Sequence, residues 1–263
     1  MDDRDVARHW EGNAAAWTAL SRKGYDVWRD LVNTPAFVAM MPSVKGLSGL
    51  DIGCGEGANT RTVARLGAKM TGVDISATFV ELAAEEERRE ALGISYQVAP
   101  AQSLPFAGDS FDFATAFMSL MDMADYEGAL REGRRVLRGG GFLQFSILHP
   151  CFNTEDRTVI TDASGKVTAI QIGAYFKPAE FVEEWTFHAA ADELSDWKPF
   201  QVPYFSRTLA QYLNAVVDAG FAIERVGEPT ASEELVREHP RLQTLRVAPH
   251  LLHVLCRKRR SGG

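Results

Sequence analysis

Residues 50–57 read Leu-Asp-Ile-Gly-Cys-Gly-Glu-Gly and form the most informative stretch of the chain. The apolar run Leu47–Ile52 predicts a buried strand, and Thr60–Leu66 has the apolar spacing of a helix that ends at Gly67. Alternating glycines therefore connect a strand to a helix. Glycine permits a positive φ angle and lets the backbone approach a ligand closely, while the helix N-terminus adds unpaired N–H groups. Such a loop is suited to hold a phosphate or a carboxylate.

Strand and helix signals alternate on both sides of this loop. Further strands are predicted at Lys69–Asp74, Ile94–Ala99, Phe111–Phe117, Gly141–Leu148, Phe221–Val226 and His250–Arg257. Helices are predicted from Ser76 onward, at Asp125–Leu137 and at Leu209–Ala219. Strands separated by helices of this length indicate right-handed βαβ units. The expected fold class is therefore α/β, with a parallel sheet that helices cover on both faces.

The alternation stops after Leu148. Residues 150–206 contain aromatic-rich, strand-like pieces at Thr158–Thr161, Val167–Ile172 and Phe181–Phe187, and the turn residues 162–165 between the first two predict a hairpin. This segment is too long for a simple loop in a compact domain. We therefore predict that residues 150–206 form an inserted cap over a ligand site.

The first 45 residues carry aromatic side chains at loosely helical spacing: Trp10, Trp17, Tyr25, Trp28 and Phe37. They form either a helical lid over a ligand or helices that simply pack on the edge of the sheet, and aromatic stripes more often belong to a core. The predicted organisation has three parts. Residues 1–45 are a helical lid, residues 46–149 and 207–263 form the ligand-binding domain, and residues 150–206 are the cap.

Composition and charge exclude several classes of protein. The 263 residues are 46% hydrophobic and 24% charged, which is typical of a globular domain and excludes a disordered or collagen-like chain. The 28 Lys and Arg residues against 35 Asp and Glu residues give a net charge of −7, which disfavours binding to nucleic acid. The basic run 257–260 is interpreted as a solvated tail end.

Cysteine usage and hydropathy predict the compartment. Cys54, Cys151 and Cys256 are an odd number of widely spaced cysteines, which argues against a disulfide framework or a zinc site and for a reducing environment. The N-terminus is acidic and lacks the apolar run of a secretion signal. No stretch approaches the ~18 apolar residues of a membrane span. We expect a cytoplasmic protein without a membrane segment or metal, as a monomer or a homodimer.

The spacing of the glycines restricts the class of ligand that the loop can bind. The loop does not match G-x-G-x-x-G, because the third glycine follows two residues after the second, and the chain has no P-loop motif. Asp51 precedes the loop, and Asp74 ends the next predicted strand, followed by apolar Ile75. A carboxylate at the tip of the second strand is placed to accept both hydroxyls of a ribose. The ligand should have a ribose and an amino-acid-like end, and no pyrophosphate.

Four stretches resemble the class I S-adenosylmethionine-dependent methyltransferases, over roughly residues 45–150 and more loosely to the C-terminus. They are LDIGCGEG at 50–57, GVDIS at 72–76, SLPF at 103–106 with FDFATAFMSLMDM at 111–123, and RRVLRGGGFL at 134–143. They occur in the family's order and spacing. The resemblance implies a doubly wound, Rossmann-like sheet of seven strands, six of them parallel and the last, His250–Arg257, antiparallel.

The resemblance also implies S-adenosyl-L-methionine as the cofactor and S-adenosyl-L-homocysteine as its product. Asp74 would bind the ribose, Asp51 would reach the ammonium group through the loop, and Ile75 would pack on the adenine. The implied cofactor-binding residues are Asp51, Gly53, Cys54, Gly55, Gly57, Asn59, Thr60, Asp74, Ile75, Ala101, Gln102, Ser103, Phe117 and Met118. Cys54 is most simply a small buried filler within the loop.

One position departs from the family pattern. Relatives often have an acidic residue just before the small residue at the adenine edge, whereas this chain has Pro100 before Ala101. Proline has neither a side-chain acceptor nor an N–H group for the adenine amino group. The amide oxygen of Gln102 is a possible substitute. Adenine recognition is therefore less firmly predicted than ribose recognition.

The acceptor of the methyl group is predicted to be a small molecule. Enzymes that methylate nucleic-acid amino groups typically carry an N/D-P-P-Y/F motif after the fourth strand, whereas this chain has Phe-Met-Ser-Leu at 117–120. Aromatic residues of the cap predict an apolar or aromatic acceptor, although they equally suit a core of the cap itself. These residues are Trp185, Trp197, Phe200, Tyr204 and Phe205.

Candidate catalytic bases lie where the parallel strands end, because ligands bind there in such sheets. His149 follows the fifth predicted strand, and Asp122 follows the fourth, where relatives often have a histidine. The alternatives are a structural histidine bonded to backbone and a carboxylate that caps a helix or turn. Tyr204, Arg207 and His188, in or just after the cap, are further candidates to face the acceptor. A base helps when the acceptor must lose a proton.

Two other functions remain open at this point. The first alternative is a protein that binds S-adenosylmethionine in a role other than methyl transfer, given Pro100 and the missing motif histidine. The second alternative is methylation of RNA or of a protein, with the basic run 257–260 as an anchor.

Overall fold

The structure is a computed structural model that describes residues 1–187 and 194–260, and within these ranges it has one large sheet and two small ones. The strands are β1 Ser48–Ile52, β2 Lys69–Asp74, β3 Ser95–Val98, β4 Phe111–Phe117, β5 Leu137–Leu148, β6 Arg157–Thr161, β7 Val167–Ile172, β8 Glu180–Trp185, β9 Phe200–Phe205, β10 Phe221–Gly227 and β11 Leu251–Lys258. The α-helices are α1 Asp3–Arg22, α2 Thr34–Met40, α3 Ala58–Arg65, α4 Ala77–Arg89, α5 Tyr126–Val136, α6 Leu209–Asp218 and α7 Glu233–Glu238. A π-helical turn spans Arg29–Asn33, and 3₁₀ helices span Leu120–Asp122 and Pro240–Arg246.

The large sheet has seven strands in the order β10-β11-β5-β4-β1-β2-β3. β11 runs antiparallel to both of its neighbours, and the other six strands are parallel. This confirms the predicted doubly wound α/β fold with an antiparallel last strand. The carboxyl ends of β1, β2, β4 and β5 meet at one edge of the sheet, where ligands bind in such folds.

Both faces of the sheet are buried, as expected for parallel strands. In β4, Phe113 packs with residues of α2 and α3 on one face, while Ala114 and Ala116 pack towards α5 and α6 on the other. Strands that are buried on both faces have no polar face, so their sequences lack the alternation of apolar and polar residues that is typical of half-buried strands. This explains why the central strands appear in the sequence as nearly continuous apolar runs.

The element ends differ from the predictions by a few residues. Ser76 and Asp125 lie just outside their helices as N-cap residues, where their side chains accept hydrogen bonds from the backbone N–H groups of Phe79 and Gly128. Capping by serine or aspartate satisfies N–H groups that the first helical turn leaves free. Leu137 was predicted as helical but already belongs to β5, which begins four residues before the predicted Gly141.

The cap contains two antiparallel strand pairs. β6 and β7 form the predicted hairpin, and the Asp162 carboxylate accepts hydrogen bonds from the backbone N–H groups of Ser164 and Lys166 in its turn. β8 pairs with β9. The sequence pattern did not predict a strand at β9. Pro203 lies within β9, and proline inside a run argues against a strand unless the strand is at an edge. The predicted division into lid, domain and cap remains a prediction.

The N-terminal helix packs against the cap. Trp17 of α1 lies in one aromatic cluster with Trp185, Phe187 and Phe200, with ring centres 4.8–5.0 Å from Trp17. The Asn13 amide donates to the backbone oxygen of Gln201 at 2.8 Å. Thus the aromatic residues of the first helix do pack as a core, but this core joins the lid to the cap rather than to the sheet edge.

The basic run at the C-terminus is only partly a tail. Arg257 and Lys258 belong to β11, where Arg257 pairs with Glu224 at 2.5 Å and Lys258 with Asp109 at 2.8 Å. The prediction of a solvated tail end is therefore wrong for these two residues, because strand pairing carries the chain to residue 258. Across residues 1–187 and 194–260, none of the helices combines the length and the apolar character needed to cross a membrane.

Candidate active site

A cavity of about 570 Å³ opens at the carboxyl ends of the parallel strands, beneath α1 and the cap. This volume lies within the range of small-molecule sites. One part of its wall comes from the glycine loop and the ends of β1, β2 and β4. The other part comes from the loop after β4, the end of β5, the cap and the start of β11. The predicted residues that line it are Asp51, Gly53, Cys54, Gly55, Asn59, Asp74, Ile75, Ala101, Phe117, Met118, Asp122, Tyr204 and Arg207.

The glycine loop has the conformation that its sequence predicts. Gly53 has a φ of 72°, and its backbone N–H donates to the oxygen of Val73 at 2.8 Å. A Cβ atom at Gly53 would lie 2.5 Å from the Ser119 Cβ, so a side chain is excluded. Gly55 also has a positive φ, but the space beside it is open. Here the backbone itself faces the cavity and leaves room for a ligand.

Asp74 is oriented by the loop that follows β1. Its Oδ2 accepts a hydrogen bond from the Gly55 N–H at 2.8 Å, and its Oδ1 accepts one from the Ser76 N–H at 2.9 Å. Burial raises the pKa of this carboxyl to about 6, against the opposing effect of these two bonds. Each carboxylate oxygen keeps a free lone pair. The site therefore fits the two hydroxyls of a ribose, and apolar Ile75 and Ala101 beside it fit a base.

Asp51 lines the cavity and is held by two threonine hydroxyls. Its Oδ2 accepts a hydrogen bond from Thr60 Oγ1 at 2.6 Å, and its Oδ1 accepts one from Thr115 Oγ1 at 2.8 Å. It is 1% exposed, and burial raises its pKa to about 6. Asp51 thus joins β1 to α3 and β4 while it contributes to the cavity wall. Thr60, a predicted cofactor residue, is fully buried beneath the wall instead of lining it.

Three other predicted cofactor residues lie outside the cavity wall. A Cβ at Gly57 would collide with the Tyr96 hydroxyl, so this glycine permits packing within the protein. The Gln102 amide donates to the Asp3 carboxylate at 2.7 Å and so connects the adenine-side loop to α1. Ser103 is exposed, and its N–H donates to the Pro100 oxygen. The adenine-side role predicted for Gln102 and Ser103 is not supported by this geometry.

The backbone is strained where β4 ends. Met118 has a φ of 51°, which few non-glycine residues adopt, and its N–H donates to the Ser146 oxygen of β5 at 2.9 Å. Residues in such conformations persist where surrounding structure holds them, and they occur often at ligand sites. The strain turns the chain sharply into the 3₁₀ helix that carries Asp122.

Asp122 is a buried carboxylate at the cavity wall. It is 8% exposed, and among the described residues no hydrogen-bond donor or ion-pair partner reaches its carboxylate. Burial raises its pKa well above the usual value, and the positive charge of nearby Arg207 opposes this only partly. The carboxylate neither caps a helix nor closes a turn, which were the structural alternatives. A buried carboxylate that faces a cavity without a partner is suited to accept a proton from a ligand.

Arg207 holds the loop that carries Asp122. Its Nη1 donates to the Met121 oxygen at 3.1 Å, and its Nη2 donates to the oxygens of Met123 and Ala124 at 2.6 and 3.2 Å. The guanidinium also lies 4.2 Å from the ring centre of Tyr126. Arg207 was predicted as a residue that faces the acceptor, and it does line the cavity. The hydrogen bonds to Met121, Met123 and Ala124 are made to backbone oxygens, so Arg207 acts mainly by positioning the loop.

Replacing Arg207 with Met should lower the free energy of unfolding by about 2–3 kcal/mol, because buried carbonyl oxygens lose charged donors. Urea denaturation measures this change. Arg131→Met is the matched control, since Arg131 is 61% exposed and should change stability by less than about 0.5 kcal/mol. Equal stability of Arg207→Met and the wild-type protein would show that these hydrogen bonds contribute little.

His149 does not line the cavity. Its Nε2 lies 3.0 Å from Glu228 Oε1, its Nδ1 accepts from the Cys151 N–H at 3.2 Å, and it is 3% exposed. Leu148 and Pro150 on either side do line the cavity. Successive side chains at the end of a strand point to opposite sides. Because Leu148 and Pro150 face the cavity, His149 faces away from it. Its predicted role as the catalytic base is therefore not supported, and the structural alternative describes it better.

Tyr204 lines the cavity, but its hydroxyl donates to the Asn153 oxygen at 3.1 Å. Burial raises the pKa of this phenol, so it stays protonated and acts as a donor rather than a base. His188, the last candidate, lies outside the described residues.

Sequence reasoning missed several cavity residues. These are Asp26, Arg29, Asn33, Arg157, Glu183, Arg241, Thr244 and His250. They come from the π-helical turn, the cap and the connection before β11, none of which carries a motif. No signal in the single sequence would have identified them.

The chain is similar to proteins of known classification. The family described as "Methyltransferase domain" matches residues 50–145. Methyltransferase GfsG of Streptomyces halstedii is 41% identical over 97 residues, which are 36% of this chain and 35% of that protein. A demethylmenaquinone methyltransferase of Tropheryma whipplei is 33% identical over 153 residues, or 56% of this chain and 63% of that protein. The chain thus spans less than two thirds of the length of either relative.

Similarity to a solved structure extends further. An S-adenosylmethionine-dependent methyltransferase from Mesorhizobium loti is 30% identical, with a TM-score of 0.67. The match covers 85% of this chain and 96% of that chain. It therefore extends well beyond the motif region at residues 50–145.

Proposed function

The chain belongs to the class I S-adenosylmethionine-dependent methyltransferases, and we propose that it methylates an oxygen or nitrogen atom of a small, apolar or aromatic metabolite. The match over 96% of the Mesorhizobium loti structure establishes the family and hence the cofactor. The observation that carries the proposal is Asp122, a buried carboxylate without a partner among the described residues, in the same cavity as Asp74 and the glycine loop.

S-adenosylmethionine supplies a methyl group that its sulfonium already activates, so the protein has to bind, orient and exclude water. Asp74 would hold the ribose hydroxyls, and Ile75 with Phe79 would pack on the adenine. The amino-acid end of the cofactor carries both charges. The Arg29 guanidinium and the Asp26 carboxylate, which also line the cavity, have the charges that complement its carboxylate and ammonium groups.

Asp122 would act as the general base. An acceptor hydroxyl or amine becomes a better nucleophile as it loses its proton, and the proton would go to an Asp122 carboxylate oxygen. Because burial raises the pKa of Asp122, its basicity is closer to that of the acceptor than an exposed carboxylate's would be. Arg207 would keep the Asp122 loop in place through its hydrogen bonds to the loop carbonyls.

The part of the cavity wall away from the glycine loop, which we call the acceptor half, contains several apolar and aromatic side chains. These are Trp28, Leu148, Trp185, Val202 and Phe205. Such walls favour a flat or apolar ligand and keep water from the reacting atoms. One relative is named a demethylmenaquinone methyltransferase, and a quinone is a flat, largely apolar molecule, which is consistent with an acceptor of this type.

Cofactor affinity should depend on pH. The pKa of Asp74 and that of Asp51 are raised to about 6 by burial, and a cationic cofactor favours the ionised carboxylates. Affinity should therefore be full above about pH 7 and fall below about pH 6, by up to about tenfold per pH unit for each of the two carboxylates. Calorimetric titration between pH 5 and 8 measures this. Asp74→Asn should show a shallower dependence, and constant wild-type affinity down to pH 5 would contradict the proposed ionisation.

The test of the proposed function is a turnover assay. The full-length protein is incubated with S-adenosylmethionine and separate panels of phenols, hydroquinones, aromatic amines, RNA and protein, and S-adenosylhomocysteine is quantified by mass spectrometry. We expect turnover with small aromatic acceptors. Cofactor binding without turnover on any panel would favour a non-transfer role. Transfer confined to RNA or protein would overturn the choice of a small acceptor.

A further inference from the structure

One corner of the cavity carries a cation without a counter-ion. Arg157 begins β6 and lines the cavity, and within the described part of the chain its guanidinium has no ion pair or hydrogen bond. Its Nε atom is buried and unpartnered. Removal from water lowers the pKa of Arg157, and no carboxylate of the described chain raises it again. The side chain as a whole is half-buried, and a partly desolvated charge without a partner is destabilising, so the position suits an anionic partner from outside the chain.

A second unpartnered polar atom lies in the same cavity wall. Thr244 Oγ1, in the 3₁₀ helix Pro240–Arg246, is buried and has no hydrogen-bond partner within residues 1–187 and 194–260. That helix packs on β7, the strand paired with β6, and Gln243 accepts a hydrogen bond from the Val167 N–H at 3.0 Å. Arg157 and Thr244 are therefore set on neighbouring elements. A hydroxyl and a guanidinium are both donors suited to a carboxylate.

Among the residues that the structure describes, no carboxylate acts on the charge of Arg157. Arg241, three residues before Thr244 in the same 3₁₀ helix, also lines the cavity. His250 lies close enough to feel the charge of Arg157, and this charge together with burial lowers its pKa to about 4, so its imidazole is neutral. The ring centre of His250 lies 4.5 Å from that of Trp28, which provides a flat apolar wall next to the polar corner.

We propose that the methyl acceptor carries a carboxylate, or a similar anionic group, which binds to Arg157 and Thr244 at this corner. This inference rests on the proposed function, because it describes the other end of the same acceptor. Asp122 and Glu183 are carboxylates that line the cavity, and the charge of Glu183 raises the pKa of Asp122, whereas neither carboxylate affects the pKa of Arg157. The cavity thus has an acidic end for the group that loses a proton and a basic end for the anion. A flat hydroxy- or amino-aromatic acid combines these features.

The test compares acids with their neutral amides. Protein saturated with S-adenosylhomocysteine is titrated with 4-hydroxybenzoate, 3-hydroxybenzoate, salicylate and indole-3-acetate and, separately, with the corresponding amides, by ligand-observed NMR. We expect at least one acid to bind about tenfold or more tightly than its amide, as a charged hydrogen bond implies. Arg157→Gln should abolish this preference, and Thr244→Val should reduce it.

Controls separate the corner from general charge effects and from the proposed function. Arg131→Gln removes the same charge from an exposed site outside the cavity and should leave the acid preference unchanged. S-adenosylhomocysteine affinity should be the same in Arg157→Gln and wild type, which shows that the variant is folded. Equal binding of acids and amides, no binding of either across the panel, or a preference that survives Arg157→Gln would overturn the inference. Because the readout is binding, an acid preference without methyl transfer would contradict only the proposed function.

Discussion

The Asp122→Asn variant is expected to transfer methyl groups with a kcat about a hundredfold or more below wild type, since general base catalysis typically contributes about 10²–10⁴-fold. The amide has nearly the same shape as the carboxylate but does not accept a proton. Removing a buried charge without a partner among the described residues should leave the unfolding free energy equal or higher, so lost activity will not reflect unfolding. Steady-state kinetics on an identified acceptor, with thermal denaturation, measures both quantities.

The matched control is Asp125→Asn. Asp125 lies three residues further along the same loop and caps α5, where asparagine serves as well as aspartate. Its side chain does not contribute to the cavity wall. This variant should keep wild-type kcat. Wild-type kcat in Asp122→Asn would remove Asp122 from the mechanism and leave positioning and water exclusion as the source of catalysis.

The Asp74→Ala variant is expected to bind S-adenosylmethionine about one to two orders of magnitude more weakly than wild type. The substitution removes the acceptor proposed for the ribose, which corresponds to about 1.5–3 kcal/mol for a charged hydrogen bond. It also frees the Gly55 and Ser76 N–H groups that the carboxylate orients. Isothermal titration calorimetry measures the affinity directly.

Asp112→Asn is the control for the loss of a β-strand carboxylate. Asp112 accepts a hydrogen bond from the Ser48 N–H at the opposite end of the sheet and lies outside the cavity wall. Cofactor affinity should be unchanged in this variant, even where stability falls. A folded Asp74→Ala protein with wild-type affinity would mean that the ribose binds elsewhere.

The cofactor half of the site was predictable because its residues are close in sequence. The loop 50–57 and Asp74 follow adjacent parallel strands, so their meeting at one edge follows from the strand order of the fold alone. Three of the expected cofactor residues lie outside the cavity wall. Gly57 packs against Tyr96, Thr60 donates a hydrogen bond to Asp51, and Gln102 donates one to Asp3.

The acceptor half of the site was less predictable because its residues come from segments that are far apart in the sequence. His149 and Asp122 both follow a strand that ends at the cavity, and the sequence favoured the histidine. In the structure, side chains alternate in direction at the end of β5. Leu148 and Pro150 therefore face the cavity, whereas His149 faces away from it, towards Glu228. At Asp122 the strained Met118 and the hydrogen bonds from Arg207 set the direction of the loop. A single sequence contains no record of contacts between residues so far apart.

The amino-acid sequence by itself determined the fold class and the order of strands and helices along the chain, because short-range glycine, capping and apolar patterns specify strand–loop–helix units locally. It also placed Asp74, the carboxylate that we propose for the ribose, at the end of the second strand. Only the tertiary structure decided which other charged side chains line the cavity. Asp122, Glu183 and Arg157 become neighbours of one cavity only when the cap folds over the sheet, and their burial, which gives them their chemistry, does not exist before that packing.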